Sequence, residues 1–248
     1  MQECLKAKKH IFVEKPLALN LEELKAIHTL RESFNENEKP ILMVGFNRRF
    51  SKFSEWAKKQ LPSNTTLTMN IIVNAGTLNP NNWSDQSNQG GRIIGEICHF
   101  IDLAQFFTDS SVSSVFAYQI DSSTGDYVIN LKMASGSIIN ITYVTSGNRR
   151  HRREYVEIYC GGTIVSIDNF KKATLTSQSS SKSISNWLST DRGHRKQLAY
   201  LYQSIAPSTI NKTTTSDPVN TTLASFAIET SILTGQTQIL SSYEKLLQ

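Results

Sequence analysis

Cysteine is scarce in this 248-residue chain. Cys4, Cys98 and Cys160 lie far apart and form no Cys-x-x-Cys pair, so neither a disulfide framework nor a metal site is expected. No stretch approaches the roughly 18 consecutive apolar residues that a membrane span needs. The opening Met1-Gln2-Glu3-Cys4-Leu5-Lys6 also lacks the apolar segment that directs secretion. A cytoplasmic protein with reduced thiols and no membrane partner is expected. Excess charge is small as well: 26 basic against 21 acidic residues leave +5, which favours small anions without requiring nucleic acid. The 12 glycines nowhere form Gly-x-Gly-x-x-Gly, so the usual phosphate-cradling turn is not in this chain. With 39% hydrophobic residues, the chain can bury a real core, and disorder is not the default.

Residues 10–13 form a short run of branched and aromatic side chains, halted by Glu14-Lys15-Pro16. A helix is predicted from Leu21, capped by Asn20, with Glu22 and Glu23 in its first turn, fading near Asn35. Residues 40–46 are continuously apolar, as in a strand buried on both faces of a parallel sheet. Together these segments read as one βαβ unit, which needs neighbouring strands to cover it. Beyond a helix at 50–61 come a strand at 67–73, a loop at 74–91 holding Trp83, and an apolar helix at 92–107. Strands at 112–120, 127–133, 138–145, 155–160 and 163–167, with glycine-bearing turns between several of them, predict an antiparallel meander. The serine-rich residues 177–185 read as a mobile loop, and helices at 192–205 and 219–234 close the chain.

Three segments occur in a telling order: Ile11-Phe12-Val13-Glu14-Lys15-Pro16, Met43-Val44-Gly45-Phe46-Asn47-Arg48-Arg49-Phe50, and Gly90-Gly91-Arg92-Ile93-Ile94-Gly95-Glu96-Ile97-Cys98-His99-Phe100-Ile101-Asp102. The chain resembles the glucose-fructose oxidoreductase and inositol dehydrogenase family (Gfo/Idh/MocA) from about residue 8 through its last helix. The resemblance implies an α+β fold. Residues 1–47 would be the residual βαβ tail of a Rossmann domain that binds NAD or NADP. Residues 48–248 would form an open, mainly antiparallel β-sheet domain flanked by helices, binding substrate and building a homo-oligomer through the sheet. It also implies a cis peptide before Pro16, turning Lys15 toward the nicotinamide, with Glu14, Lys15 and Pro16 bordering the cofactor.

An ammonium at a strand end suits a reacting hydroxyl, because it stabilises the alkoxide character that grows as hydride leaves carbon. A solvated surface lysine is the plainer account of Lys15. On an ideal helix Arg92, Glu96, His99 and Asp102 form a polar stripe, which is either a solvent face with an Arg92–Glu96 pair or a catalytic one. His99 is the candidate general base, since imidazole titrates near neutrality. The family often places an aspartate where Gly95 stands, and Glu96 could supply that carboxylate at i,i+3. Arg92, Asn47, Arg48 and Trp83 are candidate substrate contacts, each with an ordinary structural alternative. The cluster Arg149-Arg150-His151-Arg152-Arg153 is either a solvated hairpin end or a reader of an anionic substrate such as a nucleotide sugar.

The expected reaction moves a hydride between NAD(P) and a carbinol carbon of a sugar, nucleotide sugar or cyclitol. A non-catalytic sheet module for dimerisation or ligand sensing is the alternative, favoured by the missing glycine turn. Titrating the 248-residue chain with NADH and NADPH should give weak or undetectable binding; micromolar affinity would overturn that expectation.

Overall fold

The computed structural model describes residues 1–77, 90–120, 125–205 and 217–247. In chain order the elements begin with α1 (Gln2–Lys6), β1 (Ile11–Val13), α2 (Leu21–Glu32), β2 (Leu42–Val44), a 3-10 turn (Arg48–Phe50), α3 (Lys52–Gln60) and β3 (Thr68–Asn74). A π-helical turn (Ile93–Ile97) leads into α4 (Cys98–Thr108), followed by β4 (Val112–Gln119), β5 (Tyr127–Met133), β6 (Ile138–Val144), β7 (Glu154–Cys160), β8 (Thr163–Asp168), β9 (Lys172–Thr176) and β10 (Ser181–Ser185). The chain ends in α5 (His194–Ser204), α6 (Pro218–Thr234), β11 (Gln238–Ile239), α7 (Leu240–Glu244) and a last 3-10 turn. Helices beside a large, mostly antiparallel sheet make the fold α+β. None of the described helices is long and apolar enough to cross a membrane.

β1 and β2 pair in parallel, Ile11 beside Leu42 and Val13 beside Val44, and α2 crosses between them as the βαβ pattern requires. Asn20 caps α2 by accepting from the Glu23 amide at 2.9 Å, satisfying a donor that has no partner within the helix. The nine-stranded sheet runs β10-β9-β8-β7-β3-β6-β5-β4-β11. It is not the expected meander, because β3 lies between β6 and β7, parallel to the first and antiparallel to the second. Consequently residues 145–153 do not close a hairpin but pass over the end of β3. There the Asn74 amide donates to the Arg153 carbonyl at 2.7 Å, and the Asn74 side chain donates to the Asn148 carbonyl at 2.8 Å. Residues 181–185, read from their serines as loop, pair with β9 as an edge strand, where a polar sequence costs little.

Alternation sets the two faces of the sheet. Met69, Ile71 and Val73 of β3, Ile139, Ile141 and Tyr143 of β6, and Val156 and Ile158 of β7 point under the helices and are buried. Ile72, Tyr118, Val128, Ile138, Tyr159 and Ile164 stand exposed on the strands.

α4 is buried nearly all round, so the expected polar stripe is no solvent face. The stripe is divided: Arg92 and Glu96 pair at the π turn, which interrupts the ideal 3.6-residue period, while Asp102 turns to Arg49. Asp102 is 0% exposed and accepts from Arg49 Nε at 2.8 Å and Nη2 at 2.6 Å, a bidentate pair with the turn after β2. Asp102→Ala would remove the carboxylate that Arg49 engages in the interior. It should cost about 3–5 kcal/mol in urea unfolding, whereas a loss under about 1 kcal/mol, typical of an exposed pair, would contradict the arrangement.

Candidate functional site

The apolar run of β1 ends at Glu14, and the Lys15–Pro16 peptide is cis, as expected. Lys15 does not sit on a solvated surface. Its Nζ donates to the Gly95 carbonyl at 2.5 Å, joining the end of β1 to the π turn before α4. Burial holds the ammonium below the usual lysine range; Arg48 adds to the effect, while Cys98, Glu96 and Glu14 oppose it. Position 95, where a family aspartate is missing, thus engages the ammonium through its backbone.

His99 follows in the first turn of α4, 8% exposed, with Phe46 edge-on at 6.0 Å. Its Nδ1 has no hydrogen-bond partner among the described residues. Burial pushes the imidazole well below 6.5, and the positive charges of Arg48, Lys15 and His194 push it further. The ring is therefore neutral at physiological pH.

Glu96 does not orient His99. Its carboxylate accepts from the Tyr143 hydroxyl and pairs with Arg92 Nη1 at 3.1 Å, while Arg92 also donates to the Tyr143 oxygen at 2.9 Å. The π turn separates Glu96 from the direction of His99 that an unbroken i,i+3 helical spacing would give. Burial pushes the Glu96 carboxyl up, yet the Tyr143 bond and the charges of Arg92, Arg153 and Lys15 outweigh it, and the group is ionised more readily than usual. Burial and the same carboxylate drive the Tyr143 phenol upward, so it serves as a donor.

Asn47 and Arg48 follow β2. The Asn47 amide meets the His194 ring at 3.0 Å. Arg48 donates to Glu154 through Nε at 3.3 Å and Nη2 at 3.0 Å, and its guanidinium lies 4.8 Å from the centre of the Phe100 ring. Arg192 Nε reaches the same Glu154 carboxylate at 3.3 Å, and Arg153 Nε lies 3.8 Å away. Glu154 is 1% exposed; burial raises its carboxyl, but Arg48, Arg192 and Arg153 hold it below the usual range. Trp83 lies outside the described residues. Among those described, no group of three or more His, Cys, Asp or Glu side chains is placed to hold a metal ion.

The structure therefore brings Glu96, His99 and Arg48 into electrostatic reach of Lys15, with Arg92 paired to Glu96 and Asn47 at His194. Tyr143, Glu154, Arg192 and His194 were not among the candidates. Two of them carry a sequence signal: Tyr143 is in phase with the inward Ile139 and Ile141, and Glu154 with the inward Val156 and Ile158. A polar group in an apolar register must find a buried partner. Arg192 and His194 are brought in by Gly193, at φ +89°, where an added Cβ would lie 2.3 Å from the Asn47 carbonyl oxygen.

Comparison with known proteins places this arrangement. Residues 1–46 match the model of the oxidoreductase family with an NAD-binding Rossmann fold. The chain is similar to myo-inositol 2-dehydrogenase of Thermotoga maritima, 27% identical over 187 residues, covering 69% of this chain and 53% of that protein. It is also similar to inositol 2-dehydrogenase/D-chiro-inositol 3-dehydrogenase of Lacticaseibacillus casei, 31% identical over 46% of this chain and 31% of that one. The chain thus spans about half the length, or less, of these curated relatives. Among solved structures, an oxidoreductase domain protein from Kribbella flavida superposes with a TM-score of 0.81 at 18% identity, over 96% of this chain and 76% of that one. Levoglucosan dehydrogenase in complex with NADH and L-sorbose gives 0.79 at 17%, over 96% and 75%. These matches make the chain similar to oxidoreductases of the Gfo/Idh/MocA family.

The depressed imidazole has a consequence for stability. Below 6.5 an unfolded His99 binds a proton that the folded site refuses, so the stability from keeping it neutral is whole above that value and lost as pH falls. His99→Gln should flatten the fall in stability between about pH 6.5 and 5 relative to the parent, followed by chemical denaturation. An unchanged slope, or an imidazole titrating near 6.5 by NMR, would contradict the buried site.

Proposed function

We propose that this chain supplies the catalytic side chains of an NAD(P)-dependent dehydrogenase, acting on a carbinol carbon of a sugar, nucleotide sugar or cyclitol. The observation that carries the reading is that a half-buried strand-end ammonium, Lys15, is bonded to the π turn that leads into the helix carrying a buried neutral imidazole, His99. In this reading residues 1–47 belong to the cofactor-binding unit and 48–248 to the substrate unit.

The residues fit the reacting end of the cofactor. Glu14, Lys15 and Pro16 would border the nicotinamide, and the partnerless Nδ1 of His99 is a buried polar atom left for a ligand. No residues of this chain form the glycine turn for the pyrophosphate. When bound, a nicotinamide provides the hydride acceptor. Lys15 donates a hydrogen bond to the substrate hydroxyl oxygen and stabilises its growing negative charge. His99, already neutral, takes the hydroxyl proton as the carbon loses hydride and the C–O bond becomes C=O. The nearby cations oppose a lasting imidazolium, so the proton is readily passed on. Glu96 acts indirectly, holding Arg92 and Tyr143 and moderating the charge of Lys15. The inositol dehydrogenases among the relatives support a polyol as substrate.

Hydride transfer should be assayed at millimolar NAD or NADP, which saturates weak binding, with cyclitols, aldoses and sugar acids as substrates. Lys15→Ala and His99→Gln should each lower turnover about 10²- to 10⁴-fold with the fold intact by circular dichroism. Turnover unchanged in both variants, or absent from the parent with every substrate, would defeat the reading.

A second reading, a non-catalytic module for dimerisation or ligand sensing, draws support from the apolar side chains exposed on the sheet, among them Ile72, Val128 and Ile138. Either reading places a homo-oligomer interface there. Ile72→Lys with Ile138→Lys should turn a dimer into a monomer in sedimentation velocity; a parent that is already monomeric would remove the interface.

A further inference from the structure

Around Lys15 and His99 the cations outnumber the carboxylates. Lys15, Arg48, Arg92, Arg153 and Arg192 stand against Glu14, Glu96 and Glu154. Three of these guanidinium groups meet at Glu154, although one cation neutralises one buried carboxylate. The donor count is as lopsided as the charge: each guanidinium carries five N–H groups, and a carboxylate offers about four lone-pair sites.

Arg48 engages Glu154 through Nε and Nη2, donates to Asn47 at 3.4 Å through Nη1, and lies against Phe100, so its fork is committed to the protein. Arg192 and Arg153 are differently placed. Both approach Glu154 through Nε, and among the described residues their terminal nitrogens donate to no protein acceptor. Their side chains are 28% and 53% exposed. Arg192, hydrogen-bonded at its elbow to a buried carboxylate, has little freedom, and its two outer nitrogens form a fork suited to an oxyanion, while Arg153, 3.8 Å from the same carboxylate, is drawn toward it by charge alone. Both are tied to the reacting groups through shared neighbours: Arg192 and Arg153 reach the carboxylate that Arg48 engages, Arg48 and His194 act on His99, and Arg153 acts on Glu96. An anion there would be drawn in by the excess positive charge and fixed by paired hydrogen bonds.

We propose that Arg153 and Arg192 form a receptor for a compact anionic group of the substrate, a carboxylate or a phosphate, carried beside the carbinol carbon that Lys15 and His99 serve. This rests on the dehydrogenase reading and narrows it, since a neutral cyclitol would leave both forks empty. The substrate class is a sugar acid or sugar phosphate.

Calorimetric titration of the purified chain, without nicotinamide, tests it with gluconate, glucose 6-phosphate, myo-inositol and pyrophosphate as probes. At least one of the first two should bind about tenfold or more tightly than myo-inositol, more weakly as salt is raised, and the stronger of the pair identifies carboxylate or phosphate. In Arg192→Gln and in Arg153→Gln the preference should fall toward one while the thermal midpoint holds; either variant alone decides the matter if the other fails to fold. Equal affinity for myo-inositol, no binding by any probe, a preference that survives both substitutions, or tight binding of pyrophosphate alone would each overturn the proposal. Anion preference without hydride transfer would sink the dehydrogenase reading and leave the receptor; hydride transfer to a neutral polyol without anion preference would do the reverse.

Discussion

A carboxylate removed from water is tolerated when cations and donors surround it, and Glu154 imposes that requirement on three distant parts of the chain. Arg48 comes from the turn after β2, Arg192 from the segment leading into α5, and Arg153 from the loop over β3. Satisfying this one group gathers the ends of both sheets and the start of α5 at one place. Arg48, one of the cations that stabilise Glu154, also acts on Lys15 and His99, so a structural ion cluster and a reactive site share a charge.

The two reactive groups are tuned by different means. Lys15 is half-buried and anchored through a backbone carbonyl, an acceptor without net charge, so that bond orients its ammonium without adding a counter-charge. His99 is kept neutral by burial and by like-signed neighbours, and its Nδ1 is left without a partner. An ammonium that donates and an imidazole that accepts complement each other across a hydroxyl group, provided that no carboxylate ties the ring down. Glycine at position 95 and the turning of Glu96 toward Tyr143 both keep carboxylates away from it.

Much of this was legible in the sequence where the information is local. The strand ending at Glu14-Lys15-Pro16, the Asn20 cap and the buried run of β2 each follow from neighbouring residues, and the hairpins β4–β5, β5–β6 and β7–β8 from alternation and glycine turns. What could not be read depends on pairs far apart. A strand's two-residue period says which face a side chain takes and nothing about which strand lies beside it, so β3 could not be placed. A helical period cannot announce a π turn, which moved Glu96 away from His99, or the pairing of Asp102 with Arg49. The polar edge strand β10 owes its structure to β9, and Arg192 and His194 owe their place to a glycine that packs where no Cβ fits.

The position of β3 bears on how the molecule is assembled. The runs β4 to β6 and β7 to β10 are each made of sequential hairpins, which close over short loops. Neither run touches the other in the sheet except through β3, whose partners β6 and β7 lie some seventy residues or more further along the chain. Two locally folding halves are therefore joined along a single central seam, and joining them requires the slow long-range closure that dominates rates in high contact-order proteins. The loop carrying Arg153 is held at that seam through the Asn74 amide, so the position of Arg153 depends on pairings between segments distant in sequence and not on either hairpin run alone.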